Sequence, residues 1–374
     1  MNPFKYGEFA SGEGFCNRKS EIKRLHQAFK DGQSIILISP RRWGKSSLVD
    51  EALSRYKGNK LIVIKLDCFG KRAADEFYLS LLQTTLKASS TKLQEISNTV
   101  KKLISGVMPY ISFSTGPTDE VKISFSSTPD KIDSSAVLDL PQKLAKERNT
   151  RVVVCIDEFQ KIGEWSDGNL VLEKLRSHWQ KHPDVSYCLY GSQRHLMSVL
   201  FTDSTQPFYR FGETIFLQKI DREEWVSFIA DRFETSGKKI TSQLAGLIAD
   251  KAAFHSYYVQ YLSRLCWNNT EKNVTEEIIN QSFDDLLNDQ VNIFQRITER
   301  LTHYQVNYIK AFCQGETKFS SMKVLKDYNL GSPGNIKRIE KVMEDLEIID
   351  YSEGKPFFTD PFFEPLFRRF FITE

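Results

Sequence analysis

The stretch Ser39-Pro40-Arg41-Arg42-Trp43-Gly44-Lys45-Ser46-Ser47 constrains this chain more than any other. It follows the apolar run 34–38 (SIILI) and opens a helical pattern carried by Leu48, Val49, Ala52 and Leu53. Strand, tight turn, then helix is the order that a phosphate-cradling loop requires. Backbone N–H groups and a helix N-terminus must converge there on anionic oxygens. Gly44 lets the backbone approach phosphate closely, Lys45 is placed to reach the β- and γ-phosphates, and the Ser46 hydroxyl is placed to ligate Mg²⁺. Ser39 stands where the usual pattern has its first glycine. The plain alternative for so short a motif is a surface turn between a strand and a helix.

A second element weighs against that alternative. The run 152–156 (VVVCI) ends in Asp157-Glu158. An apolar strand ending in an acid puts that acid at the strand's carboxyl end, where a phosphate loop also lies. Asp157 then holds magnesium through water, and Glu158 polarises the attacking water as general base. Alone, the pair reads as a solvated strand end; with the loop it reads as the other half of one site.

Three more runs, 61–66 (LIVIKL), 185–190 (VSYCLY) and 213–217 (ETIFL), have the near-continuous apolar character of strands buried on both faces. With helical patterns between them, they predict an α/β fold: a P-loop NTPase parallel sheet flanked by helices. Residues 70–150 form a long excursion between the second and third strands. It carries helices near 73–86 and 92–104, then alternating runs 110–114 and 121–126 around Gly116-Pro117-Thr118-Asp119, a hairpin insertion at about 105–130. The predicted organisation is a core over 1–220, an all-α lid over 221–300 and a winged-helix domain over 301–374.

Two further positions bear on chemistry. Ser192, in Gly191-Ser192-Gln193 after the 185–190 run and beside the Asp157-Glu158 strand, senses the γ-phosphate, fixes the water, or simply caps the next helix. Arg210, in Pro207-Phe208-Tyr209-Arg210-Phe211, reads as an arginine finger, as the partner of a buried carboxylate, or as a cation stacked on a ring.

Fifty-one basic residues against 48 acidic ones leave a net charge of +3, so any basic surface is local. The six cysteines are scattered with no CxxC pair, which argues against a zinc site or a disulfide framework and fits a reducing compartment. The N-terminal residues lack a signal-peptide apolar stretch, and no window approaches a membrane span, so the expected location is cytoplasmic.

Taken together, these residues resemble the AAA+-related ATPases of archaea and bacteria allied to the STAND class and, more distantly, to origin-recognition initiators. The resemblance runs over essentially the whole chain. Phe15-Cys16-Asn17-Arg18 with Glu21 and Leu25 matches the Phe-x-x-Arg-x-x-Glu element that the resemblance places against adenine, which implies nucleotide contacts for Phe15 and Arg18. SPRRWGKSSL matches the family's phosphate loop and makes Ser39 a family trait, implying nucleotide contacts from Pro40, Arg41, Arg42, Trp43, Gly44, Lys45, Ser46 and Ser47. VCIDEFQ and LYGSQRHLM match its acidic and sensor strands. PFYRF resembles its Pro-Phe-Tyr-x-Arg segment, with Arg210 one residue earlier. His255 sits where relatives carry Gly-His-Pro, but without the Gly and Pro, so a packed histidine is the simpler expectation. ATP and Mg²⁺ are the implied cofactors.

The winged-helix module bears on partners. Its third helix, near 332–346, holds Lys337, Arg338 and Lys341 but also Glu340, Glu344 and Asp345. DNA binding through this mixed face stands beside packing on the core, a protein partner or a homo-oligomer. Two functions are expected from the sequence: an ATPase that hydrolyses ATP to ADP and phosphate to drive a conformational switch, or a nucleotide-gated binding module with little turnover.

Overall fold

The β-branched runs do what their composition demands. In a computed structural model, which describes residues 1–58, 60–89, 111–115, 121–125, 133–351 and 354–372, they form one parallel sheet. The chain divides into two compact units: one of Arg18–Arg41 and Lys45–Gln218, the other of Met1–Asn17, Arg42–Gly44 and Lys219–Glu374.

The first of these holds α1 (Lys19–Asp31), β1 (Ile35–Ile38), α2 (Lys45–Arg55), β2 (Leu61–Asp67), α3 (Ala74–Ser89), β3 (Ile111–Thr115), β4 (Val121–Phe125), α4 (Ser134–Leu138), α5 (Leu140–Arg148), β5 (Arg151–Asp157), α6 (Gly168–Trp179), β6 (Val185–Gly191), α7 (Arg194–Thr202) and β7 (Glu213–Phe216). The sheet order is β2-β5-β6-β1-β7, and every pairing within it is parallel. All four residues of β1 and all seven of β6 are buried, which explains why the sequence shows continuous rather than alternating apolar runs. β3 and β4 pair antiparallel, Ile111 opposite Phe125, as the expected hairpin. The expected helix at 92–104 and the turn at 116–119 lie outside the described residues. β1 has β6 on one side and β7 on the other, with β5 beyond β6. This order gathers the carboxyl ends of β1, β5 and β6 side by side, the place where ligands bind in open α/β sheets.

Below the sheet, a polar cluster sits among aromatic rings. The buried His182 places Nδ1 2.7 Å from the Tyr187 hydroxyl and Nε2 3.2 Å from Asp139 Oδ1, which also lies 2.6 Å from His178 Nδ1. Tyr187 stacks on Trp179 at 4.2 Å. Burial holds the His182 pKa below the ordinary histidine value, against the pull of Asp139. A base whose folded pKa is depressed contributes stability that is complete above its unfolded pKa, about 6.5, and is lost as pH falls through the folded value. The melting temperature is therefore expected to drop on acidification below about pH 6.5, with a flatter profile for His182→Gln in thermal scans. Equal profiles for the two proteins would remove His182 from the account.

The second unit is helical: α8 (Arg222–Thr235), α9 (Ser242–Lys251), α10 (Ser256–Asn269) and α11 (Glu276–Thr298), then α12 (His303–Cys313), α13 (Met322–Asp327), α14 (Pro333–Asp345), the short strands β8 (Ile349–Asp350) and β9 (Phe357–Phe358), and α15 (Phe363–Phe371). Threonine hydroxyls set the helix starts at Thr241, Thr275 and Thr302, the last completing a capping box with Gln305. Ser332 occupies the cap position of α14 with Pro333 behind it, although its hydroxyl makes no capping bond. One apolar cluster centres on Trp225, Ile229, Phe233 and Tyr258; another on Tyr308, Ile336, Ile339, Met343 and Phe367. The phenylalanine-rich tail is structural. Phe362 lies 4.2 Å from the Tyr258 ring, and Phe294 meets the rings of Phe363, Phe367, Phe370 and Phe371. The six cysteines, all among the described residues, are buried, and none is in a disulfide. Among the described residues no helix is long and apolar enough to cross a membrane.

Candidate functional site

β1 ends at Ile38, and the chain turns through Ser39, Pro40 and Arg41 before α2 starts at Lys45. Ser39 is fully buried, its hydroxyl turned onto the Pro40 carbonyl, so a small polar residue suits the start of the turn. Gly44 has φ +91, a backbone region that side-chain-bearing residues rarely adopt, and a Cβ there would meet nothing within 4 Å. The backbone at Gly44 is thus bare toward open space. The first turn of α2 adds N–H groups that have no helical acceptor and the positive end of the helix dipole.

Lys45, Ser46 and Ser47 begin α2, with Lys45 and Ser47 buried. The Ser46 hydroxyl donates to Asp157 Oδ2 at 2.7 Å, joining the phosphate loop to the end of β5. Burial raises the Asp157 carboxyl above the ordinary aspartate range, while the Ser46 hydroxyl bond and the nearby Lys45 ammonium pull it down. Asp157 Oδ1 accepts from the Glu158 N–H at 2.8 Å. The chain then turns through Glu158 in the left-handed region, at φ +51. That turn points Glu158 Oε2 at the end of β6, where it accepts from the Ser192 hydroxyl at 2.8 Å and from Gln160 Nε2. Arg41 Nε lies 3.4 Å from the same Ser192 oxygen. Ser192 is not the helix cap that one reading allowed; Gln193 holds that position for α7.

Lys45, Ser46, Asp157, Glu158, Ser192 and Arg41 therefore come together in one unit. A hydroxyl and a carboxylate are hard oxygen donors, the kind that hold Mg²⁺ with water and substrate phosphate rather than in an all-protein cage. The donor set fits Mg²⁺, and the bare loop fits a phosphate.

Other positions fall elsewhere. Arg18 is buried in the left-handed conformation ahead of α1, giving Nη1 to Glu21 at 3.1 Å and to the Gln218 carbonyl at 3.0 Å. The arginine and glutamate of the Phe-x-x-Arg-x-x-Glu element thus pair with each other. Phe15, in the second unit, is half-buried behind the Gly12–Gly14 turn, which Gln260 fixes through the Gly14 carbonyl. Arg210 is exposed at φ +50 with its guanidinium 5.0 Å from the Tyr209 ring centre. Of its three readings the ring contact is present, and among the described residues no carboxylate pairs with it. His255 is buried ahead of α10 against the Tyr258 ring, the packed histidine that was the simpler expectation.

Arg42, Trp43 and Gly44 group with the second unit. There the Arg42 guanidinium lies 4.7 Å over the Tyr257 ring, the Ser256 hydroxyl donates to the Trp43 carbonyl at 3.3 Å, and Lys219 approaches the buried Trp43 ring. Tyr257 and Ser256 were missed from sequence, because helical periodicity marks a helix face but not what covers it. Gln160 was missed too. Its Oε1 is buried with no partner among the described residues and lies where a Cβ on Gly191 would collide with it. The signal was available in DEFQ, where the acid pair is followed by an amide in reach of the same strand ends.

Comparison with known proteins follows the same lines. A family model described as an ATPase domain predominantly from Archaea matches residues 15–244. Among solved structures, the chain is similar to the Walker-type ATPase of Pyrococcus abyssi, with a TM-score of 0.69 at 16% identity, over 96% of this chain and 97% of that one. It is also similar to the ORC2 protein of Aeropyrum pernix in ADPNP–ADP complexes, with a TM-score of 0.60 at 13% identity over 98% of each chain. At such identities these likenesses establish the fold. No match to a curated protein was found.

Proposed function

Because the chain belongs to the family of ATPase domains found predominantly in Archaea, we propose that it binds ATP with Mg²⁺, hydrolyses it to ADP and phosphate, and uses the cycle as a conformational switch. The observation that carries this reading is the linked pair of contacts Ser46–Asp157 and Ser192–Glu158, which ties the phosphate loop and two strand ends into one constellation. Lys45 neutralises the β- and γ-phosphates, and the N–H groups around Gly44 take the remaining phosphate charge. Ser46 and Asp157 hold Mg²⁺, which when bound offsets charge developing on the phosphate oxygens. Glu158 takes a proton from the attacking water as the γ-phosphoryl group leaves ADP. Ser192 orients the Glu158 carboxylate, and Arg41 steadies Ser192.

The presence of a carboxylate in the base position favours turnover over simple nucleotide gating, since binding alone needs no base. Arg210, exposed in its own unit, suits a finger offered to the nucleotide of a second copy of the chain. Phosphate release from the wild type should require ATP and a divalent cation. In the same assay, turnover per chain should rise with protein concentration in the wild type and lose that dependence in Arg210→Ala. ATP binding without any phosphate release, at every concentration tried, would replace the enzyme reading with the nucleotide-gated one.

A further inference from the structure

The near-neutral composition hides one strongly biased surface. Between α1 and the C-terminal end of α2 lies a groove of about 420 Å³ lined by Lys19, Lys23, Lys30, Arg55, Tyr56 and Lys57, with no acidic side chain among its lining residues. Arg55 is engaged by Glu51 at 2.5 Å. Lys19, Lys23, Lys30 and Lys57 are exposed, and among the described residues none of the four has an ion-pair partner. We infer that this groove binds single-stranded polynucleotide, its lysines on the phosphates and Tyr56 against a base.

Helix stability does not explain these charges. Cations at a helix C-terminus are favourable, which accounts for Lys30 on α1 and for Arg55 on α2. Lys19 and Lys23 are the opposite case. Lys19 is the first residue of α1, where the dipole is positive, and Lys23 follows one turn later on the same face, a like-charge spacing that destabilises an isolated helix. Their position costs stability within the unit, so an anionic ligand is the natural counterweight. A cleft lined by one sign of charge also concentrates its field more than a flat patch does.

The aromatic ring narrows the partner's chemistry. Tyr56 is half-buried and held edge-on by His26 at 5.4 Å and Phe29 at 6.4 Å, with Gly58 packed so closely that a Cβ there would strike the phenol. A fixed ring within a cationic groove is the combination that binds single strands, whose unpaired bases offer a stacking face. An open groove of this volume has room for a nucleotide-sized group, whereas a duplex has its bases already stacked and offers Tyr56 no free face. α14 differs: its exposed Lys337, Arg338 and Lys341 share the helix with Glu340, Glu344 and Asp345. The groove is also distinct from the proposed ATP site. It lies at the far end of α2 from Lys45, about 16 Å along an 11-residue helix.

The test is fluorescence anisotropy of the full chain with labelled oligothymidylate and with a labelled duplex over a salt series. The wild type should bind the single strand more tightly than the duplex. Replacing Lys19, Lys23, Lys30 and Lys57 with Gln should reduce the salt slope by about 0.7 for each phosphate no longer neutralised, close to three in all. Tyr56→Leu should weaken binding roughly tenfold with little change in slope, while Tyr56→Phe should not weaken it. ATP-induced thermal stabilisation should be unchanged in the lysine variant, which also reports that it is folded. The double change Lys19→Gln, Lys23→Gln, at two exposed positions, gives about half the slope effect and keeps the test available if the fourfold variant misfolds. No binding at the lowest salt, an unchanged slope, equal binding of duplex, or loss of binding only on Lys337→Glu with Arg338→Glu would each overturn the inference. None of these outcomes touches the ATPase reading, whose own failure would appear as missing phosphate release.

Discussion

Glu158→Gln is expected to lower steady-state phosphate release by about 10²–10⁴-fold, the usual contribution of a positioned general base, while ATP affinity stays near that of the wild type. Glutamine has the same shape and keeps an oxygen to accept the Ser192 hydroxyl bond, so the contact at 2.8 Å can persist. What it loses is the ability to take a proton. Binding should survive because the groups assigned to phosphate and metal, Lys45, Ser46 and Asp157, are untouched. The left-handed turn at φ +51 is no harder for Gln than for Glu, so no folding defect is expected. Measuring phosphate release and equilibrium ATP binding side by side separates these effects. Equal turnover in the two proteins would place the base elsewhere; loss of binding as well would make Glu158 part of the nucleotide cradle.

Much of that constellation was legible in the sequence, and the reason is local. A strand buried on both faces writes a continuous apolar run, and a loop that binds phosphate needs Gly-Lys-Ser at the head of a helix, so β1, β5, Lys45, Ser46 and Asp157 are visible as strings. The parallel order of the sheet follows from the strand–helix rhythm, but the adjacency of β5, β6 and β1 does not. That adjacency makes Ser192 the partner of Glu158. Even given the adjacency, the contact depends on a backbone turn at Glu158 that no propensity indicates, and on Gly191 leaving room for Gln160. The sequence suggested three roles for Arg210, and only the fold could remove one. Arg42 would be grouped with its loop by any string-based reading, yet its ring partner, Tyr257, lies more than 200 residues further on. The basic groove was invisible for a related reason: three of its lysines are spread along α1 and the fourth follows α2, so the net charge of +3 gives no hint that they meet.

Lys45→Ala should abolish the stabilisation that ATP confers, the second large effect expected. A ligand that binds only the folded state adds about 2.7 kcal/mol at a hundredfold excess over its dissociation constant. For a unit of this size that corresponds to a rise in melting temperature of roughly 5–10 °C. The Lys45 ammonium is buried at the start of α2, close enough to Asp157 to lower its pKa. Alanine removes the ammonium at the head of α2 that offsets the Asp157 carboxylate, so the attraction Lys45 offers the incoming phosphates is lost. The variant should therefore melt at the same temperature with and without Mg–ATP, and release no phosphate. Its melting temperature without nucleotide is the internal control. Lys45 is buried beside the half-buried Asp157 carboxylate, so some loss there is expected from the uncompensated charge alone. The decisive quantity is the difference between the two scans of each protein. A wild-type shift that persists undiminished in Lys45→Ala would mean that nucleotide binds away from the head of α2, and the assignments of Ser46 and Asp157 would fall with that of Lys45.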